Sequence, residues 1–244
     1  MTGAVLADAV RRASPTVLSS DLFDTVLLRD HSTESGRFAR AARRAAPLLG
    51  VDPAALARLR WSCHDNAYRA VAMERPEGDA TLAAVCATMA AALGRGAEAA
   101  EVLRSAEVET DIGHLRPNRP LLAFYADAAR SGVRVVAVSD TYYGEADLRH
   151  ILGAVVGDHP FAAVYSSADI GLTKHGGHLF DEVAKRENVT ADQILHVGDH
   201  PAADVRRAQA CGWTAVHLPR DARHRVRKVA GRVLALNVHR ERGR

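Results

Sequence analysis

The hydrophobic positions of this 244-residue chain follow two patterns, one typical of strands and one typical of helices. Short apolar runs that end in small or polar residues are typical of strands buried on both faces of a sheet. Five such runs occur, at 16–21, 133–140, 161–167, 193–199 and 214–219. Segments with helical spacing lie between the later runs. This alternation predicts an α/β fold with a doubly wound, mainly parallel sheet that carries helices on both faces.

Two of the helical segments have recognisable ends. Residues 119–132 begin near Pro120 and stop at Gly132, whereas residues 201–212 begin at Pro201 and stop at Gly212. Proline is favoured in the first turn of a helix and glycine just after its last turn. Both segments are therefore predicted as helices that connect neighbouring strands.

The region between about residue 32 and residue 116 interrupts the alternation. It is rich in Ala, Arg, Leu and Glu, has no strand-like run, and contains four segments with helical spacing at 35–50, 53–75, 79–94 and 97–115. We predict that residues 32–116 form an all-helical insertion. The sheet domain would then consist of residues 1–31 and 117–244.

Composition indicates a globular protein of the cell interior. Apolar residues make up 48% of the chain, enough for a sizeable core. Cys63, Cys86 and Cys211 are widely spaced and odd in number, which favours reduced thiols over a disulfide framework. No segment has the length and apolarity of a signal sequence or membrane span. We expect a cytoplasmic protein without membrane contact, present as a monomer or a homodimer.

Positive charge is concentrated at the C-terminal end. Residues 220–244 contain nine Lys or Arg against two acidic residues, although the whole chain has a net charge of only +3. Regularly placed apolar residues predict a basic helix or tail at about 220–244 with one packed face. No aromatic residues interleave with the charges, so nucleic acid is not an expected partner.

Candidate catalytic side chains follow the predicted strands. Asp21, Ser139 and Asp199 lie at predicted carboxyl ends, where ligands bind in parallel sheets. Lys174 could supply a fixed cation, and Asp204 could join Asp199 as a hard oxygen ligand for Mg²⁺. Phosphoryl transfer needs a nucleophilic carboxylate, a divalent metal and donors for the phosphate. Gly198 would let the backbone approach a ligand closely.

These residues lie in four motifs that occur in order. They are "DLFDT" from Asp21, "VVAVSDT" with Ser139, "TKHGGHLF" with Lys174, and "HVGDHPAAD" with Asp199 and Asp204. Together the motifs resemble those of the haloacid dehalogenase superfamily. The resemblance implies a Rossmann-like core, and the helical insertion matches the type of cap that closes over the active site in this family.

The resemblance also implies a role for each residue. Asp21 would be the nucleophile and a Mg²⁺ ligand, Ser139 would bind the phosphate, and Lys174 would pair with both Asp21 and the phosphate. Asp199 would bind Mg²⁺ directly and Asp204 as a secondary or water-mediated ligand. Two further residues are candidates for substrate contact, namely Asp140 and His200.

The first motif departs from the family pattern at Phe23. Most phosphatases of the family carry a second aspartate there, which protonates the leaving group, and dehalogenating members lack this acid as well. The family uses the backbone carbonyl at this position as a Mg²⁺ ligand, so the Phe23 carbonyl stays a candidate ligand. Asp24, one residue further on, could substitute as the acid.

Three functions therefore stay open. The first is a Mg²⁺-dependent phosphatase or phosphotransferase that acts on a small phosphorylated metabolite through an aspartyl-phosphate. The second is a metal-independent dehalogenase, against which the pair Asp199 and Asp204 argues. The third is a non-enzymatic binding or regulatory module with weakened chemistry.

Simpler interpretations exist for several of these side chains. An aspartate or serine at a strand end often caps a turn or helix. Four histidines near the predicted site could suggest zinc, but oxygen ligands dominate and no HExxH spacing occurs; they are His175, His178, His196 and His200. Helically spaced Trp61, His64 and Tyr68 in the insertion are interpreted as core packing.

Overall fold

The computed structural model describes residues 2–76, 78–221, 224 and 226. The strands are β1 (Val17–Ser20), β2 (Leu27–Arg29), β3 (Leu115–Pro117), β4 (Arg134–Ser139), β5 (Ala163–Ser166), β6 (Ile194–Gly198) and β7 (Thr214–His217). Five of them form a parallel sheet in the order β5-β4-β1-β6-β7, and β2 pairs with β3 in a separate two-stranded sheet. The predicted α/β class with a parallel sheet is confirmed.

Helices connect these strands. They are α1 (Thr2–Ala13), α2 (Glu34–Leu49), α3 (Pro53–Glu74), α4 (Leu82–Ala92), α5 (Ala97–Ile112), α6 (Arg119–Arg130), α7 (Glu145–Val156), α8 (Ser167–Ile170), α9 (His178–Glu187) and α10 (Ala208–Ala210). A 3₁₀ turn covers Ala191–Gln193, and Pro201–Arg207 form a π-helix that leads into α10. No helix in the described part of the chain is long and apolar enough to cross a membrane.

The two helices predicted from their ends are confirmed with one difference. In α6, proline occupies the first turn, and Gly132 beyond its end has φ +88°. The second helix also starts at Pro201 and is followed by Gly212 with φ +83°, but its first seven residues have π rather than α geometry. Positive φ is the conformation that glycine adopts without a steric penalty.

Strand β1 lies at the centre of the sheet and organises the strand ends. All its residues are buried, and it pairs with β4 on one side and β6 on the other. Ser20 lies opposite Ala137 of β4 and Val197 of β6. The carboxyl ends of these three central strands therefore lie at the same edge of the sheet, and the residues that follow them are neighbours.

The described chain divides into two compact units. One contains the sheet and comprises the described residues up to Leu28, then Val71–Thr81 and Arg116–Pro219. The other comprises Arg29–Ala70, Leu82–Leu115 and the described residues after Pro219. Residues 71–81, which the sequence assigns to the insertion, thus group with the sheet. That the helical unit is a cap stays a prediction, and most of the predicted basic helix at about 220–244 lies outside the described residues.

The helical unit has its own core. Helix α5 contacts α2 and α4. A buried ion pair links α3 to α5, because the Arg60 guanidinium donates two hydrogen bonds of 2.7 Å to the Glu107 carboxylate. The same guanidinium lies 3.9 Å from the centroid of the Phe38 ring on α2. A bidentate pair of this kind fixes helix orientation more specifically than apolar contacts alone.

Candidate active site

Three carboxylates converge at the carboxyl edge of the sheet. Asp21 follows β1, Asp199 follows β6, and Asp204 lies on the π-helix. One ligand oxygen from each lies within 4.8 Å of the other two. Carboxylate oxygens are the ligands that Mg²⁺ prefers. Within the described residues this potential metal-binding group contains no histidine, which is consistent with an oxygen-ligated cation.

Lys174 lies between two of these carboxylates. Its Nζ donates to Asp21 Oδ1 at 2.7 Å and to Asp204 Oδ1 at 2.6 Å. The side chain is buried, with 2% of the residue exposed. A buried ammonium requires compensating charge, and here two carboxylates supply it. The predicted pairing of Lys174 with Asp21 is therefore present in the structure.

The site holds more negative than positive charge. Burial raises the pKa of Asp21, and the Asp204 and Asp199 carboxylates act in the same direction; although Lys174 opposes them, the pKa reaches about 7. Burial alone would lower the pKa of Lys174, but the carboxylates outweigh it and raise that pKa, so the ammonium stays charged. Three neighbouring carboxylates, of which only Asp21 and Asp204 are paired with the ammonium, create an excess negative charge that a divalent cation would relieve.

The loop that carries Lys174 is held by Asp140. Its carboxylate accepts the backbone N–H of Lys174 at 2.7 Å and that of His175 at 3.2 Å. Asp140 therefore fixes the loop that carries Lys174. Its predicted contact with substrate stays a prediction.

Asp204 is held in place by its surroundings. Its Oδ2 accepts the backbone N–H of His200 at 2.9 Å. A Cβ atom on Gly198 would lie 2.3 Å from Asp204 Cγ, closer than any real Cβ contact. Gly198 is therefore required for the Asp204 side chain itself, a different reason from the close ligand approach inferred from sequence.

The His200 side chain has a local structural role. Its Nδ1 accepts the backbone N–H of Ala203 at 3.0 Å and so caps the start of the π-helix. Its predicted contact with substrate stays a prediction.

Ser139 has a buried hydroxyl group at the end of β4. Only 1% of the residue is exposed, and among the described residues its Oγ has no hydrogen-bond partner. Buried polar atoms are nearly always paired, and an unpaired hydroxyl is costly. A phosphate oxygen is the kind of partner that would satisfy it.

Phe23 places an aromatic ring in the first motif. Its ring centroid lies 5.9 Å from that of Tyr143, and 8% of the residue is exposed. The next residue, Asp24, has φ +65° and donates its backbone N–H to Leu27. The chain thus turns sharply after Phe23, and the position holds no carboxylate.

Sequence reasoning missed the pairing of Ser19 with His196, because it treated His196 only as one of four histidines near the predicted site and did not consider Ser19. Ser19 Oγ lies 2.8 Å from His196 Nδ1, and His196 Nε2 lies 3.4 Å from Asp204 Oδ1. Both residues are fully buried. The sequence shows a serine and a histidine within mainly apolar strands. It does not show that they are paired, because that depends on the register between β1 and β6.

Comparison with known proteins identifies the family of this chain. A family model described as haloacid dehalogenase-like hydrolase matches residues 17–212. The chain belongs to this family of hydrolases. The predicted superfamily resemblance is confirmed.

One curated relative is a phosphoserine phosphatase of Thermus thermophilus, 32% identical over 103 residues. This alignment covers 41% of the chain and 40% of the relative's length. The similarity is therefore confined to less than half of either protein.

Solved structures share the fold. A 2-haloacid dehalogenase from Pseudomonas syringae is 22% identical with a TM-score of 0.55, covering 82% of this chain and 85% of that one. A haloacid dehalogenase family enzyme from Bacteroides thetaiotaomicron, in complex with magnesium and inorganic phosphate, is 13% identical with a TM-score of 0.53. The shares covered are 85% of this chain and 97% of the other. At these identities the likeness shows a common fold.

Proposed function

We propose that this protein is a Mg²⁺-dependent phosphatase or phosphotransferase that acts on a small phosphorylated metabolite through an aspartyl-phosphate on Asp21. The observation that carries the proposal is the convergence of the Asp21, Asp199 and Asp204 carboxylates, two of which, Asp21 and Asp204, form ion pairs with Lys174. A nucleophilic carboxylate, a divalent metal and a fixed cation are the parts that phosphoryl transfer requires.

The residues fit Mg²⁺ as a cofactor. Asp21 and Asp199 would ligate it directly, together with the Phe23 carbonyl. Both Asp204 oxygens already accept hydrogen bonds, from Lys174 and from the His200 backbone, which supports a secondary or water-mediated role for Asp204. When bound, Mg²⁺ neutralises charge on the phosphate oxygens.

The chain's own groups account for the bond changes. An Asp21 oxygen attacks phosphorus, a new O–P bond forms, and the bond to the leaving oxygen breaks. Water, or an acceptor hydroxyl in a phosphotransferase, then attacks phosphorus and gives up its proton to solvent. The bond between phosphorus and the Asp21 oxygen breaks, so phosphate or the phosphorylated acceptor leaves and the Asp21 carboxylate is restored. Lys174 holds Asp21 in place, and the Ser139 hydroxyl donates to a phosphate oxygen. Phe23 supplies no proton to the leaving group.

A dehalogenase is the second candidate, favoured by the aromatic ring at Phe23 and by the fold of known 2-haloacid dehalogenases. In that reaction Asp21 would attack carbon and release a halide without metal. Asp199 and Asp204 argue against it, because negative charge beside a departing halide is unfavourable. A binding or regulatory module is the third candidate; it would bind phosphate and Mg²⁺ without turnover.

Activity against a panel of phosphorylated metabolites, with Mg²⁺ and with excess chelator, separates the three. The proposal predicts turnover that needs Mg²⁺ and is abolished in Asp21→Asn, because the amide is nearly isosteric but a poor nucleophile. The exposed Asp158→Asn is the matched control and should keep full activity. Full activity in chelator, or halide release from 2-haloacids, would overturn it. Tight phosphate binding without turnover would support the regulatory alternative.

A further inference from the structure

A chain of polar contacts runs from the interior of the sheet to the proposed nucleophile. Ser19 Oγ lies 2.8 Å from His196 Nδ1, and His196 Nε2 lies 3.4 Å from Asp204 Oδ1. The same Asp204 oxygen accepts from Lys174, whose ammonium also donates to Asp21. Two residues outside the proposed reaction are thus linked to it through Asp204.

The first link is fixed by the sheet. Ser19 on β1 and His196 on β6 occupy paired register positions, and both are fully buried. The imidazole ring lies against the rings of Phe180 and Trp213, at centroid distances of 5.3 and 6.1 Å. These two rings, together with the polar contacts to Ser19 and Asp204, restrict rotation of the imidazole. Its two nitrogens are therefore held towards Ser19 and Asp204.

The directions of the hydrogen bonds follow from chemistry. A neutral imidazole has one donor and one acceptor nitrogen. An ionised carboxylate can only accept. Nε2–H therefore donates to Asp204, and Nδ1 accepts the hydroxyl proton of Ser19.

We propose that Ser19 and His196 are positioning residues that orient the Asp204 carboxylate, and through it the Lys174 ammonium, towards Asp21. The Asp204 carboxylate, which can only accept, selects the tautomer of the imidazole, and Ser19 holds the orientation of the ring. The imidazole restrains Asp204 Oδ1 through the 3.4 Å contact with Nε2. The expected effect on catalysis rests on the proposed function. The orientation of Asp204 by the pair rests on the hydrogen-bond geometry alone.

A purely structural role makes a different prediction. If the pair only filled the core, any substitution that keeps the fold would leave the metal affinity and kcat unchanged. If it positions Asp204, loss of the Nε2–H donor should weaken both, since outer hydrogen-bond partners of ligating groups typically contribute 10–100-fold to metal affinity or activity.

The test compares His196→Leu, His196→Gln and Ser19→Ala, with Ile194→Val as a control at an equally buried position of the same strand. Mg²⁺ binding is measured by calorimetry, and kcat and KM with para-nitrophenyl phosphate. We expect His196→Leu to lose about 10–100-fold in Mg²⁺ affinity and kcat with little change in KM. His196→Gln, which keeps an amide donor, should recover part of the loss. The control should match the wild type.

A spectroscopic measurement makes the inference independent of turnover. ¹⁵N–¹H NMR of the wild-type protein should show His196 protonated at Nε2, and this signal should broaden or shift in Ser19→Ala. The inference would be overturned by a proton on His196 Nδ1. It would also be overturned if His196→Leu bound Mg²⁺ as tightly as the Ile194→Val control does. If the wild type turned over no phosphate ester, the proposed function would fail while calorimetry and NMR still decided the role of the pair.

Discussion

Lys174 Nζ donates a 2.7 Å hydrogen bond to Asp21 Oδ1, and the two residues lie 153 positions apart in the sequence. The contact joins the Asp21 carboxylate, which follows β1, to the loop that carries Lys174. The Asp140 carboxylate holds this loop by accepting the backbone N–H of Lys174. Both partners are buried, so each depends on the other for charge compensation. Several measurable consequences depend on this pair.

Removing the Lys174 ammonium should affect both activity and stability. Lys174→Met leaves Asp21 and Asp204 buried without their shared cation, and breaking a buried pair typically costs about 3–5 kcal/mol in the free energy of unfolding. The loss of a charged donor at the reacting centre should lower kcat by about 10²–10³. Denaturant unfolding and steady-state kinetics measure the two effects. The exposed Lys185→Met is the control, and equal behaviour of both variants would contradict this prediction.

A single methyl group at Gly198 should disturb the metal site. In Gly198→Ala the new Cβ would lie 2.3 Å from Asp204 Cγ, so the Asp204 side chain must move. We expect weaker Mg²⁺ binding, measured by calorimetry. Gly153→Ala is the matched control because nothing lies within 4 Å of its Cβ. This helical control should bind Mg²⁺ normally and be more stable by up to about 1 kcal/mol. Unchanged Mg²⁺ affinity in Gly198→Ala would be inconsistent with the described Asp204 position.

Phe23 should determine which leaving groups the enzyme accepts. A general acid typically contributes about 10²–10⁴ in rate, or roughly 3–5 kcal/mol of barrier. Without one, aryl and acyl phosphates should be hydrolysed much faster than alkyl phosphates, because their leaving groups depart as stable anions. Phe23→Asp should selectively raise alkyl phosphate hydrolysis, and Asp24→Asn should change little. Equal turnover of both substrate classes, lost in Asp24→Asn, would show that Asp24 is the acid.

The helical unit should show a defined acid sensitivity at Asp30. Burial alone would raise the pKa of Asp30, but hydrogen bonds from Ser32 and His114 outweigh it and lower the pKa from 3.8 to about 2. Because the folded-state pKa is depressed, the stabilisation is complete above pH 3.8 and is lost as the pH falls through about 2.

Asp30→Asn isolates this contribution. The side chain is 38% exposed, so solvent screening limits the effect to about 1 kcal/mol or less. The difference in unfolding free energy between wild type and variant should be present near neutral pH and vanish below about pH 2. A difference that grew on acidification would have the wrong sign.

The sequence predicted the sheet and much of the proposed site because both depend on local patterns. Buried strands followed by Asp21, Ser139 and Asp199 indicate a shared edge, since carboxyl ends of parallel strands meet there. The Ser19–His196 pair was not predictable, because it depends on which strands are neighbours and in what register. The role of Gly198 was not predictable either, because it depends on where the Asp204 side chain of the following π-helix lies.

The most direct test of the central proposal is a crystal structure of the protein with Mg²⁺ and beryllofluoride, which mimics a phosphoryl group on an aspartate. Beryllofluoride should be bound to an Asp21 carboxylate oxygen, with Lys174 and Ser139 donating to its fluorides and Mg²⁺ ligated by Asp21 and Asp199. Beryllofluoride on a different carboxylate, together with undiminished phosphate ester hydrolysis by Asp21→Asn, would contradict Asp21 as the nucleophile.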